Sequence, residues 1–202
     1  MTGSDDPGAW RPVAGVDILR LRARMRGRIR AFFDASDLLE VDTPVLSAAA
    51  PTEPGVEPVR ARVLGEPRFL QSSPEFPIKR LLAAGVGDCW QLARVYRDGE
   101  RGRWHQPEFD LLEWYRHGFD HHELMEEVEA VIAATLAPHR AIPAATYIPY
   151  AEAFRRYVGV DPLTAGMDEL RGAAVEHGLS PVPGLAGDDR DGWLDHVLTG
   201  LV

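Results

Sequence analysis

Two neighbouring segments between residues 91 and 115 hold side chains that could bind a charged ligand. The second, residues 109–115, has the composition of a strand. Side chains of a strand alternate between its faces, which places four of these residues on one face: Phe109, Leu111, Glu113 and Tyr115. A carboxylate and a phenol cost free energy if they are buried without partners. That face is therefore either exposed to water or built for a polar ligand. A primary ammonium group would satisfy Glu113, and Tyr115 would supply a further oxygen.

Three more side chains nearby have the chemistry of a nucleotide site. The planar guanidinium of Arg97 matches a phosphate, and Phe109 offers a flat ring on which a purine could stack. His105 lies between them in sequence. Glu75, in the first turn of an expected helix, could interact with helix-end N–H groups or hold an α-ammonium. Each residue has a simpler explanation by itself, such as an ion pair or core packing, but their joint order and spacing favour a site.

Helices are expected before and after this region. Apolar residues at helical spacing predict an amphipathic helix that starts near Asp17, with Asp17 as its cap. A second helix is expected over residues 76–84, because Ile78, Leu81 and Leu82 share a face; Pro74 is favourable in a first turn and Gly85 is a natural stop. A third begins at a capping box formed by Asp120 and Glu123. Shorter helices are expected at 150–157, 167–177 and 189–201.

Strands are expected in two hairpins. Residues 90–96 and 109–114 are aromatic and β-branched enough to form the longer one, joined by the polar loop 98–106. Residues 59–63 and 68–71 predict a shorter one. Because no regular β-α-β alternation occurs, the sequence predicts an α+β fold with an antiparallel sheet flanked by helices.

The composition is that of a soluble globular domain, with 202 residues, 45% of them hydrophobic and 26% charged. No apolar run reaches the ~20 residues of a membrane span, and the polar N-terminus is not a secretory signal. The single cysteine, Cys89, fits a reducing cytoplasm. The net charge of -9 weakly opposes non-specific nucleic-acid binding. Arginines from Arg20 to Arg30 could contact RNA or an acidic protein, but a solvated helix face is the simpler interpretation.

Three stretches, taken in order, resemble motifs of the class II aminoacyl-tRNA synthetases. Residues 39–44 (LEVDTP), which follow the amphipathic helix, resemble motif 1. Residues 97–113 (RDGERGRWHQPEFDLLE) resemble motif 2 of the lysine branch of these enzymes. Ser72–Glu75 together with Lys79–Leu82 resembles the amino-acid-binding segment of that branch. The resemblance covers about residues 15–160.

For ATP, the resemblance implies a role for each matching residue. Arg97 is the catalytic contact to the α-phosphate, His105 lies near the distal phosphates, and Phe109 stacks on adenine. No enzyme nucleophile is needed, because the amino-acid carboxylate attacks the α-phosphorus and pyrophosphate leaves with Mg²⁺. The Mg²⁺ ligands are expected in a later acidic segment, and no metal-binding residue is predicted in this sequence. The full ATP-binding set is Arg97, Asp98, Gly99, Glu100, His105, Gln106 and Phe109.

For the amino acid, the resemblance implies that Glu75 binds the α-ammonium of lysine or a lysine isomer. The side-chain ammonium is received by Glu113 and Tyr115, which agrees with the interpretation of that face from its residues. Pro44 and the helix before it are placed at a homodimer interface. The full amino-acid-binding set is Ser73, Pro74, Glu75, Glu113 and Tyr115.

The stretch before the first helix is too short for the anticodon-binding barrel that lysyl-tRNA synthetases carry there. The chain more closely resembles the elongation factor P–(R)-β-lysine ligase family, which lacks that barrel and transfers activated (R)-β-lysine to a lysine of elongation factor P. Lysylation of tRNA-Lys is the alternative activity. A non-catalytic ATP-binding or dimerising fragment, or a decayed product, is the alternative role. These residues do not distinguish α-lysine from β-lysine.

Two departures from the family pattern affect the expected activity. Motif 2 usually begins Arg-Asn-Glu, and its Glu helps to recognise the nucleotide. In this sequence Gly99 occupies that position, and Glu100 comes one place late. The sequence also contains no Gly-rich motif 3 and no late acidic segment, which predicts a C-terminal truncation, an incomplete sheet and impaired activity. The resulting division is a loose tail over residues 1–15 and a partial catalytic domain over residues 16–202, with motif 1 at about 28–47 and motif 2 at about 91–116.

Overall fold

The computed structural model describes residues 12–179 and 184–201. The chain divides into two compact units, Met1–Pro143 and Ala144–Val202, and each is described by itself. Of the tail expected over residues 1–15, residues 1–11 lie outside the described residues. Residues 12–15 are exposed and lead directly into the first helix.

The first unit contains two three-stranded sheets and three helices within its described residues. One sheet has the strand order β1-β5-β6 and the other β2-β4-β3. The α+β class expected from the sequence is therefore confirmed. In chain order the elements are α1 (Val16–Ala35), β1 (Leu39–Glu40), β2 (Leu46–Ser47), β3 (Arg60–Val63), β4 (Glu66–Leu70), α2 (Glu75–Ala83), β5 (Cys89–Tyr96), β6 (Glu108–Tyr115) and α3 (His121–Leu136).

The longer hairpin, β5–β6, pairs in one continuous antiparallel register. The register runs from Cys89 opposite Tyr115 to Tyr96 opposite Glu108. Because alternate side chains of a strand point to opposite faces, this register confirms that the four expected residues of β6 share a face. They are Phe109, Leu111, Glu113 and Tyr115.

The opposite face of this hairpin packs on helices. Phe33 of α1 and Trp90 of β5 are fully buried, and their rings stack with centroids 4.9 Å apart. Such a ring pair contributes about 0.5–1.5 kcal/mol beyond the apolar area it buries. Val131 of α3 joins the same cluster, with Leu112 and Trp114 of β6 packed against it. The hairpin is thus held from one side by the apolar faces of α1 and α3.

The start of α1 corrects one expectation. Its N-cap is Gly15, whose backbone is extended, and no side chain caps the helix. Asp17 lies inside the first turn, 3.8 Å from Arg20, so the prediction of Asp17 as the cap is wrong. A carboxylate in the first turn still interacts favourably with the positive end of the helix dipole.

The short strand β1 pairs with β5 in parallel. The sequence had predicted an antiparallel sheet, without this parallel pair. Val41 N–H donates to the carbonyl of Trp90 at 2.9 Å and continues this pairing. Parallel neighbours need a long crossover connection, and in this fold the second sheet and α2 provide it. The antiparallel expectation holds for β5–β6, and the parallel pair adds to it.

Two local predictions are confirmed. The side chain of Asp120 accepts from the N–H of Glu123 at 3.0 Å, and the Glu123 side chain accepts from the N–H of Asp120 at 2.8 Å, which completes the capping box of α3. The shorter hairpin forms as β3–β4 around Leu64 and Gly65. Both residues have positive φ, 51° and 82°, as a two-residue type I′ turn between antiparallel strands requires.

The second unit is helical within its described residues. Its helices are α4 (Tyr150–Tyr157), α5 (Met167–Glu176) and α6 (Arg190–Leu201), and they confirm the three short helices expected there to within one residue. Phe154, Leu170 and Val197 are fully buried at its centre. Across the described parts of both units, no helix combines the length and apolar character needed to cross a bilayer.

Candidate functional site

A cleft of about 510 Å³ opens where β5 ends and β6 begins. Five of its lining residues were assigned to ATP from the sequence, and the structure brings them together: Arg97, Glu100, His105, Gln106 and Phe109. The cleft is also lined by residues that were not assigned, among them Arg22 of α1, Arg94 of β5 and the exposed Trp104. The cleft therefore combines guanidinium groups and aromatic rings, which could contact an anionic ligand that carries a flat base, with the carboxylates of Glu100, Glu108 and Asp110.

Arg97 is held at the wall of this cleft by several contacts. Its Nε donates to the carbonyl of Ser72 at 3.4 Å, and its guanidinium lies 5.3 Å from the ring centre of Phe109. Oε1 of Glu100 lies 3.7 Å from Nη1 of Arg97. The backbone N–H of Arg97 donates to the carbonyl of Pro107 at 2.9 Å, so the hairpin itself fixes the residue. The guanidinium is thus positioned before any ligand arrives.

Asp98 and Gly99 do not line the cleft, although both were assigned to ATP. The N–H of Asp98 donates to the carbonyl of Glu57 at 2.7 Å, and its side chain accepts from the N–H of Gly99 at 2.8 Å. Gly99 has a φ of 75°, a conformation that glycine adopts without strain. In this structure the two residues shape the loop, while Glu100 faces the cleft.

Glu113 lies four residues after Phe109 on the same face of the hairpin and accepts hydrogen bonds from two hydroxyl groups. Ser73 donates to one carboxylate oxygen at 2.9 Å, and Tyr115 donates to the other at 2.6 Å. Burial, reinforced by this hydrogen bond and by the negative charge of Glu113, raises the pKa of Tyr115 well above its usual value. Tyr115 therefore stays a donor at neutral pH. The carboxylate is fixed in orientation and keeps lone pairs for a cationic ligand.

The remaining predicted amino-acid residues lie at the start of α2. Pro74 is fully buried as its N-cap residue. Ser73 and Glu75 line a second cavity of about 320 Å³ with residues of the loop at 51–53. The Glu75 carboxylate is paired with Lys79 one turn along the helix, so a ligand ammonium at Glu75 would compete with that lysine. Ser73 connects this cavity to Glu113, because its hydroxyl also accepts from the N–H of Glu75 at 3.1 Å.

A buried polar contact beside Glu113 was not anticipated. Gln91 is opposite Glu113 in the register and is only 4% exposed. Its Oε1 accepts from the hydroxyl of Thr43 at 2.9 Å, and its Nε2 lies 3.4 Å from the carboxylate of Asp42. Counting back through the hairpin register could have placed Gln91 beside Glu113. The contact to Thr43 crosses 48 positions, and no local pattern indicates it.

Pro44, assigned to a dimer interface, is exposed and lines a groove of about 500 Å³ between the segment at 42–49 and α2. Among the residues that the structure describes, no group of three or more His, Cys, Asp or Glu side chains could hold a metal ion. The roles assigned to individual site residues stay predictions. The structure shows where these residues lie: a cleft at Arg97, His105 and Phe109, and a carboxylate at Glu113 on the same face.

Comparison with known proteins adds an independent finding. Residues 12–171 match the family described as tRNA synthetases class II (D, K and N). The chain is 40% identical over 179 residues to the elongation factor P–(R)-β-lysine ligase of Vibrio atlanticus (strain LGP32), which covers 86% of this chain and 54% of that protein. It is 40% identical over 203 residues to the ligase of the same name in Sodalis glossinidius (strain morsitans), covering 98% of this chain and 61% of the relative. It is 41% identical over 188 residues to the ligase of the same name in Vibrio cholerae, covering 90% of this chain and 56% of that relative.

Proposed function

We propose that this chain, which belongs to the class II tRNA synthetases (D, K and N), supplies the ATP- and amino-acid-binding part of a ligase. The ligase activates lysine or (R)-β-lysine as an aminoacyl-adenylate and transfers it to a lysine of elongation factor P. That acceptor is the one in the names of its relatives. The chain spans 54–61% of the length of those relatives, so the activity, substrates and acceptor are proposals for the whole protein.

One observation carries the proposal. Ser72 and Ser73 are consecutive, and they hold the two groups that the reaction needs: the Ser72 carbonyl accepts from Arg97, and the Ser73 hydroxyl donates to Glu113. A phosphate-binding guanidinium and an ammonium-binding carboxylate are thereby fixed relative to each other on one face of the β5–β6 hairpin. An amino acid held at Glu113 has its carboxylate end free to extend along this face toward a phosphate at Arg97.

Adenylate formation joins these two ligands. A carboxylate oxygen of the amino acid forms a bond to the α-phosphorus of ATP, the bond from that phosphorus to the bridging oxygen breaks, and pyrophosphate leaves. Arg97 neutralises charge that develops on the phosphate oxygens, and Phe109 orients the base by stacking. Catalysis of this kind depends on positioning and charge neutralisation.

Transfer follows by attack of the acceptor amine on the adenylate. The neutral ε-amine of an acceptor lysine forms a bond to the carbonyl carbon, AMP leaves, and the amine loses a proton as the amide forms. Mg²⁺, which accompanies ATP in such reactions, supplies additional neutralisation of the phosphates when it is bound. Among the described residues, no group of three or more His, Cys, Asp or Glu side chains could hold this ion, and the roles proposed for Arg97 and Phe109 do not depend on it. We propose that the reaction takes place in the cytoplasm, where a translation factor would meet the ligase. We also propose that Pro44 lies at a homodimer interface.

The test is ATP–pyrophosphate exchange by the whole protein that contains this chain, with α-lysine, with (R)-β-lysine and without amino acid. Calorimetry of ATP and of each amino acid runs in parallel. We expect both ligands to bind, and we expect exchange only when the amino acid is present. If neither ligand binds while the fold is intact, the proposal is wrong.

The second candidate activity is lysylation of tRNA-Lys, which the matched family favours because its members are tRNA synthetases. Supplying elongation factor P and tRNA-Lys in separate reactions distinguishes the two acceptors. A third candidate is a non-catalytic module, which is favoured by binding of ATP without exchange together with a stable dimer in solution.

A further inference from the structure

Arg97 already has an anionic partner inside the protein. Its Nη1 lies 3.7 Å from Oε1 of Glu100, and the two side chains are 25% and 26% exposed. Both line the 510 Å³ cleft, next to Phe109. The charge that would attract a phosphate is therefore balanced in the free protein.

The backbone before Glu100 directs it to this position. Asp98 is anchored to Glu57 through its N–H, and Gly99 then turns the chain with a φ of 75°. A side chain at position 99 would be strained in this conformation. The departure from the usual motif, a glycine followed by a late glutamate, thus produces a defined contact between Glu100 and Arg97.

We propose that Glu100 is an internal counter-ion of Arg97 that a phosphate ligand must displace, and that it thereby sets the affinity of the cleft for anions. The proposal rests on the proposed function, since it assumes that Arg97 binds phosphate. A polyphosphate can form short, bidentate, charge-assisted hydrogen bonds with a guanidinium, whereas the carboxylate contact is long. The ligand therefore replaces Glu100, but part of its binding free energy is used in doing so.

Glu108 offers a matched control. It lines the same cleft and carries the same charge, but it pairs with Arg94 at 3.0 Å instead of with Arg97. Arg94 has a second partner in Asp110 at 3.1 Å, a carboxylate that it shares with Arg22 and Arg26, so it keeps one anionic partner when Glu108 is removed. Glu108→Gln therefore changes the charge of the cleft by the same amount as Glu100→Gln and leaves the Arg97 contact intact.

The experiment measures binding of pyrophosphate and of ATP to the wild-type chain, Glu100→Gln and Glu108→Gln. Calorimetry at low salt gives the affinities, chemical-shift changes at millimolar ligand detect weak binding, and circular dichroism confirms that each variant is folded. We expect Glu100→Gln to raise the affinity for both ligands by about two- to fivefold, the range of a partly exposed ion pair. Glu108→Gln should produce a smaller change, and high salt should reduce the difference.

Three results would overturn the inference. If ATP binding weakens in Glu100→Gln while pyrophosphate binding is unchanged, Glu100 contacts the nucleoside and is not a competitor of phosphate. Equal gains in the two variants would mean that only the total charge of the cleft matters. If no variant binds either ligand, Arg97 is not a phosphate site and the proposed function fails as well, whereas the first two results leave that function standing.

Discussion

The two faces of the β5–β6 hairpin are built from alternate residues of the same strands but differ in chemistry. One face carries Trp90 and Trp114 and is packed against α1 and α3. The other carries Gln91, Glu113 and Tyr115, whose polar atoms are held by hydrogen bonds. Burying polar groups costs free energy that an apolar residue would not cost. The polar groups of the second face support its proposed role in ligand binding, whereas Trp90 and Trp114 of the first face contribute to packing.

The largest expected effect comes from replacing a phenylalanine by alanine on each face and comparing the results. Phe33→Ala removes a fully buried ring from the helix-packed face and should lower the free energy of unfolding by about 3–5 kcal/mol. Phe109→Ala, on the other face, should cost less stability because Phe109 is partly exposed. It should instead weaken ATP binding by about 1–3 kcal/mol through lost stacking. Urea unfolding and calorimetry measure both quantities, and similar stability losses for the two variants would contradict the division.

The next largest effect tests whether Glu113, on the second face, binds the amino acid. Glu113→Gln keeps the size of the side chain and an oxygen that can accept from Tyr115, but it removes the charge that would pair with a ligand ammonium. We expect binding of the amino acid to weaken by about 2–4 kcal/mol and ATP binding to change little. Calorimetry with each ligand makes the comparison. Equal losses for both would show that Glu113 has a structural role.

The smallest effect concerns the support beneath this face. Thr43→Val leaves the buried Oε1 of Gln91 without its hydrogen bond and should lower the free energy of unfolding by about 1–3 kcal/mol. Thr43→Ser keeps the hydroxyl and should restore most of the loss. Thermal and urea unfolding of the two variants test this. If the Thr43→Val and Thr43→Ser variants are equally stable, the hydrogen bond between Thr43 and Gln91 contributes nothing to the free energy of unfolding.

Much of the fold could be predicted from local signals. The capping box at Asp120 and Glu123 and the alternation along β6 are both confirmed, because each depends on residues that are near one another in sequence. Asp17 was misassigned as a cap because an acidic residue is favourable both at the cap and in the first turn. The parallel pairing of β1 was missed, since two residues carry too little pattern to show their partner.

The site was predicted in part for the same reason. Arg97, His105 and Phe109 were found because the order of the motif indicates them, and the structure places them in one cleft. Asp98 and Gly99 were expected to line the cleft as well. The backbone directs both residues away from it, and of the three consecutive residues only Glu100 lines it. That outcome depends on the φ of Gly99 and the anchor at Glu57, which composition alone does not specify.

Local patterns in the sequence were enough to predict the helices, the two hairpins and the shared face of β6, because periodicity and capping act over a few neighbouring residues. Three contacts became visible only in the three-dimensional structure: Ser73 with Glu113, Thr43 with Gln91 and Glu100 with Arg97. The first two contacts join segments 40 and 48 positions apart, and their distances are set by strand register and helix packing. The third depends on the course of a loop that has no regular repeat.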